Sequence, residues 1–158
     1  MSAALTPCAG KCSTVFGDSV CRGCRRFSHE VIHWNHYSRE EQQFIWQRLD
    51  GQLDQILLPL VSIQDSAALM RFLQSRQIKL LDMASDGRKI YHALRICQRN
   101  PHCLHEAGLN ILPEHLKKTW DLFEHRIYSL AVANFELAWL RAAQFSDSQL
   151  NYTQFDDH

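Results

Sequence analysis

The sequence predicts an all-α protein: an N-terminal four-cysteine metal knuckle followed by a four- to five-helix bundle that closes on one long helix. Three observations carry this. Four of the six cysteines fall between residues 8 and 24. From Ser38 onward apolar residues recur at helical spacing, broken by caps and prolines. No Gly or Pro occurs after Pro113, so nothing local stops the last helix. The 158 residues are 46% hydrophobic and 22% charged, close to globular averages, which is enough for a real core.

Residues 1–37 form the expected metal-binding module. They hold little helical periodicity, and Gly10, Gly17 and Gly23 sit within or between the cysteine pairs, where a chain wrapping an ion must turn tightly. "RRFSHEVIHWNHYS" reads as one short helix with Ser28 as its cap and Val31, Ile32 and Trp34 facing a small core. A stretch of this size needs a staple, so it is expected to share a core with the helices after it.

Residues 38–145 form the bundle. "SREE" is a capping box, with Ser38 bonding forward and Glu41 reaching back. Ile45, Leu49, Leu53, Ile56 and Leu57 follow until Pro59, with Gly51 permitting a bend. "SIQDSAALMRFLQSR" gives a second helix through Ala68, Leu69, Phe72 and Leu73. "SDGRKIYHALRICQRN" gives a third with Ile90, Leu94 and Cys97 on one side, stopped at Asn100–Pro101. A short turn of helix fits before Gly108. The last helix starts at Pro113 and carries a stripe of Leu116, Trp120, Phe123, Ile127, Leu130 and Ala131. Run to about residue 144 it would be roughly 45 to 50 Å long, too long for a compact partner unless it bends or packs end to end. The polar tail 146–158 is expected to be disordered.

The cysteines are spaced Cys8-x3-Cys12-x8-Cys21-x2-Cys24. Two close thiol pairs joined by a short loop can meet at one soft ion, and a tetrahedral site takes four thiolates. "CRGC" has the knuckle form. Lys11, Arg22, Arg25 and Arg26 surround the pairs and offset thiolate charge; a phosphate or nucleic-acid patch is the weaker reading of the same residues. The opening "MSAALTPCAG" lacks the features of a signal peptide, and no apolar run approaches the length of a membrane span. The expectation is a cytoplasmic protein, where clustered thiols favour metal over disulfides. Zinc and an iron–sulfur cluster both accept four cysteines; the short loops favour zinc.

"PCAGKCS…VCRGCRRFSHEVIHW", with the "S-x-E-E" helix start after it, resembles the YdhL-type family, small bacterial proteins of unknown function labelled predicted Fe–S proteins. The resemblance covers residues 7–55 and implies a metal centre on the four cysteines. It does not extend to the roughly 100 helical residues beyond.

Three further groups of residues could carry chemistry or binding. His29-Glu30-Val31-Ile32-His33 matches the letters of H-E-x-x-H, which on a helix pairs two zinc ligands with a general base, His36 being a third donor. Chance letters on a solvated face are the favoured reading. Cys97, His102, Cys103 and His105 lie close across a helix break; a buried Cys97 with incidental neighbours is preferred over a second ion or a regulatory thiol pair. Trp34, Trp46, Trp120 and Trp139 read as packing residues. Should Phe135, Trp139 and Leu140 be exposed, that end of the helix becomes a docking surface.

Lys plus Arg (17) balances Asp plus Glu (17), which excludes a basic nucleic-acid coat. There is no phosphate loop, nucleophile elbow or recognisable carboxylate pair; Asp82, Asp86 and Glu106 are scattered. The expected function is that of a non-catalytic adaptor with a protein partner and a structural metal, the bundle face beside the knuckle being the docking surface. Electron transfer or redox sensing by an Fe–S protein is the alternative.

Overall fold

A computed structural model describes the backbone of residues 5–153 and the side chains of residues 5–146. The chain is mostly helical. After a single turn of 3-10 helix at Ser13–Phe16, α1 spans Ser28–His33, α2 Arg39–Leu57, α3 Ser66–Ser75, α4 Asp86–Cys97 and α5 Leu116–Thr153. Two-residue strands β1 (Ser62–Ile63) and β2 (Leu109–Asn110) pair antiparallel and tie the loop before α3 to the loop before α5.

The caps form as the local sequence dictates. Glu41 N–H donates to Ser38 Oγ at 3.2 Å, and Ser38 N–H donates to Glu41 Oε2 at 2.7 Å. Asp65 caps α3 through Ala68 N–H, and Ser85 caps α4 through Arg88 N–H. At α1 the boundary moves by one residue: Phe27 takes the cap position and Ser28 is already helical. The Glu30 carboxylate explains the shift, because it accepts the Phe27 N–H at 2.8 Å and does the capping from inside the helix. Gly51 leaves α2 a single element.

The main core lies between α2, α3, α4 and the first half of α5. Leu53, Leu57, Leu69, Phe72, Ile90 and Leu94 are each no more than 2% exposed. Two carboxylates of α2 reach the start of α4: Asp54 Oδ1 accepts Gly87 N–H at 2.7 Å, and Asp50 accepts both Ser85 N–H and Arg88 Nε. Acids beside the unpaired amides of a helix N-terminus complement its dipole.

The cysteine-rich segment does not enter that core. Its apolar residues pack on the bundle in two smaller clusters. Val20 and Phe27 sit against Tyr128, Ala131, Val132 and Phe135 of α5. Trp34 and Tyr37 pack with Ile45, Trp46 and Leu49 of α2.

The last helix departs most from the sequence expectation. The sequence predicts a polar tail at 146–158, yet the backbone of α5 continues to Thr153; residues 154–158 lie outside the described residues. With no Gly or Pro after Pro113, composition alone does not terminate a helix. At 1.5 Å per residue α5 is about 57 Å long, and every residue from Glu136 to Ser146 is exposed. Trp139, read from sequence as a packing residue, is 64% exposed. Among the described residues no helix is long and apolar enough to cross a membrane.

Candidate metal centre

A small hairpin positions Cys21 and Cys24. Val20 and Phe27 form an antiparallel bridge, Cys21 N–H donates to Arg26 O at 2.9 Å, and Arg25 N–H donates to Cys21 O at 2.8 Å. The turn places its positive φ on Arg25 (64°), not on Gly23. Gly23 is needed for a different reason: a Cβ there would collide with the Lys11 carbonyl oxygen. That close approach lays the Cys8–Cys12 segment against the CRGC turn. Gly10 and Gly17 do adopt positive φ.

The four thiols differ in surroundings. Cys21 and Cys24 are buried, Cys12 is half-buried and Cys8 is exposed. Gly10 N–H donates to Cys8 Sγ at 3.4 Å, and Cys12 Sγ lies 3.0 Å from Thr14 Oγ1. Cys21 Sγ lies 3.5 Å from Lys11 O. Burial raises the Cys21 pKa, but the amides of Cys24, Ser13 and Gly23, helped by the Cys24 thiol, outweigh it and bring the thiol down to about 7. Burial pushes the Cys24 thiol up, partly offset by Arg26, whose Nε donates to Cys24 Sγ at 3.3 Å. Amides and a guanidinium aimed at sulfur are what a thiolate requires. The cysteines lie near one another, but among the described residues no group of three or more His, Cys, Asp or Glu side chains is drawn together as an ion would draw it.

The basic residues of this segment part ways. Arg26 turns to the Cys24 sulfur and stacks over Trp34 at 4.9 Å. Arg22 pairs with Asp18 and lies over the Tyr128 ring. Arg25, 5% exposed, points to the bundle, giving Nη1–H to Gly23 O and lying 5.1 Å over Tyr91.

The H-E-x-x-H letters do not make a site. His29, His33 and His36 are exposed, whereas Glu30 is buried against Arg48. The base and its supposed ligands therefore face opposite ways. Nor do Cys97, His102, Cys103 and His105 converge on an ion. Cys97 and Cys103 are joined to each other as a disulfide, with Cα atoms 5.8 Å apart, while both histidines are exposed. The preferred sequence reading makes Cys103 an incidental neighbour; instead the turn at Pro101–Leu104 folds it back onto the end of α4.

A cationic cleft beside the thiols escaped the sequence reading. Arg95 on α4 and Arg99 in the turn just after it line the cleft with the N-terminal segment, and Arg95 Nη2 donates to Ala9 O at 2.8 Å. The sequence signal was slight: Arg95 and Arg99 are four residues apart at the end of α4 and in the turn after it, while Arg88, further up the same helix, is taken by Asp50.

Residues 6–53 match the family model described as "Protein of unknown function (DUF1289)". The match spans the cysteine segment and most of α2, nearly the stretch on which the sequence resemblance rested. It leaves α3, α4 and α5 outside. No curated protein and no solved structure matches the chain.

Proposed function

We propose that the protein is a non-catalytic, metal-dependent adaptor, with Cys8, Cys12, Cys21 and Cys24 as ligands of one structural metal centre. The observation that carries this reading is the close approach of Gly23 to the Lys11 carbonyl, which lays the Cys8–Cys12 segment against the turn that bears the buried Cys21 and Cys24. The donor set fits the group: two pairs of thiols brought side by side by the Gly23–Lys11 contact, with Arg26 offsetting thiolate charge. Four thiolates on a divalent ion leave a net charge of about −2. Zinc is favoured over an Fe–S cluster. The metal's work is to hold the N-terminal segment folded, because binding energy is folding energy in such modules.

The docking surface is the bare end of α5. Phe135 still packs on Phe27 of the cysteine segment, with ring centroids 5.2 Å apart. Just beyond it Leu137, Trp139, Leu140 and Phe145 stand 46% to 76% exposed. An apolar helix end of this kind suits a protein partner.

The test is to purify the full chain without oxygen and measure zinc, iron and sulfide per chain with the visible spectrum. About one zinc per chain, no colour, and loss of the metal in Cys21→Ser and Cys24→Ser support the reading. Brown protein with iron and sulfide, bleached by dithionite, would replace it with electron transfer or redox sensing. A metal-free chain that is fully folded sinks both.

A further inference from the structure

Between the N-terminal segment, α4 and α5 lies a half-open cleft of about 830 Å³. Five cations line it, Lys11, Arg22, Arg25, Arg95 and Arg99, against one carboxylate, Glu124. Of the five, Arg22 has an acidic partner, Asp18. Among the described residues Lys11, Arg25, Arg95 and Arg99 have no carboxylate within ion-pair distance.

Arg25 makes this more than a solvated surface. Its guanidinium is almost wholly buried, and its backbone is held left-handed at φ 64°. Both features cost free energy, and in return, among the described residues, the protein supplies the Gly23 carbonyl, the Tyr91 and Phe123 rings and the nearby Cys24 thiol, but no carboxylate. The field is felt nearby. Burial first, and then Arg88, Arg95 and Arg25, hold the His92 imidazole down to about 4.

Thiolate compensation does not account for these charges. Arg26 is the residue on sulfur, whereas Arg95 comes from α4 and Arg99 from the turn after it, both outside the cysteine segment. The cleft also offers ring surface, from half-buried Trp120 and Tyr128. Its volume falls in the range of about 300 to 1,000 Å³ usual for small-molecule sites. The formal net charge is +0, so the positive charge is local to a pocket rather than spread as a nucleic-acid track.

We propose that this cleft binds a mononucleotide, its phosphates on Lys11, Arg95 and Arg99 and its base against Trp120 and Tyr128. This goes beyond the adaptor reading and does not depend on which metal the thiols hold.

The experiment is calorimetric titration of the full, metal-loaded chain with ADP, adenosine, inorganic phosphate and a short single-stranded oligonucleotide, at low and high salt. The expected result is ADP binding tighter than phosphate or adenosine, and weakened by salt. The Arg95→Gln/Arg99→Gln double variant removes two exposed charges that lie outside the cysteine segment and have no carboxylate partner among the described residues, so its metal content should be unchanged while ADP affinity falls about ten-fold or more. Failure of the wild-type chain to bind ADP overturns the proposal. So does ADP binding that the double variant leaves intact. Oligonucleotide binding tighter than ADP and lost in the same variant would also overturn it, in favour of a nucleic-acid strand.

Discussion

Arg48 of α2 grips Glu30 of α1 with both terminal guanidinium nitrogens, Nη1 lying 2.7 Å from Oε2. The same carboxylate caps α1 through Phe27 N–H, and the Arg48 guanidinium lies 4.1 Å over the Phe27 ring. One ion pair thus joins the end of the cysteine segment, the short helix and the bundle. Glu30→Gln keeps the shape but leaves Arg48 facing a neutral amide. The expected loss is about 2 kcal/mol, below the full figure for a buried pair because Arg48 is partly exposed. Urea unfolding of wild type and variant measures it; an unchanged midpoint would show that the pair contributes nothing.

Gly87 and Gly51 make opposite predictions. A Cβ at Gly87 would overlap the Asp54 side chain and come within 2.6 Å of Asp54 N, backbone that cannot move without parting α2 from α4. Gly87→Ala should cost roughly 1 to 3 kcal/mol. At Gly51 nothing lies within 4 Å and the residue is exposed in mid-helix. Gly51→Ala should stabilise by about 1 kcal/mol. Thermal denaturation of the two variants side by side would show one shift down and one up.

His92 gives a pH dependence with a definite sign. Its folded pKa is lowered to about 4 from 6.5, so the unfolded chain binds the extra proton first. Stability from this group is full above about pH 6.5 and is lost as pH falls toward 4. The loss approaches about 3 kcal/mol at the acid end. Unfolding at pH 7, 6 and 5 should show a smaller slope in His92→Gln than in wild type. Equal slopes would mean that the imidazole is not held neutral.

The Cys97–Cys103 link closes a short loop, with a sequence separation of 6, so it restricts the unfolded chain modestly. Its reduction should cost about 2 kcal/mol. Denaturation with and without a mild reductant reads the change. A Cys97→Ala/Cys103→Ala double variant that still responds to reductant would assign the effect to the other thiols. Peptide mapping of the unreduced chain should recover residues 97 and 103 in one linked product.

Most of the helical plan was legible because its signals are local. A capping box acts over three residues, a proline over one turn, an apolar stripe over i and i+4. Ser38–Glu41, Pro59, Asn100–Pro101 and the run from Leu116 to Ala131 therefore marked their elements without reference to the rest of the chain. The Cys8–Cys24 cluster was legible for the same reason. Ser28 misled because the group that caps α1 belongs to Glu30, whose rotamer is set by Arg48, eighteen residues away.

The sequence by itself determined where the helices form, that the last one has no internal stop, and which thiols lie close along the chain. The tertiary structure decided which way side chains face and which distant ones meet. It turned Glu30 inward and its histidines outward, folded Cys103 onto Cys97, left α5 bare from Glu136 to Ser146, and brought Arg25 from one segment to Arg95 and Arg99 of another. The reason is range. Backbone hydrogen bonds and caps are satisfied within a turn or two, whereas burial and charge convergence depend on how whole helices pack.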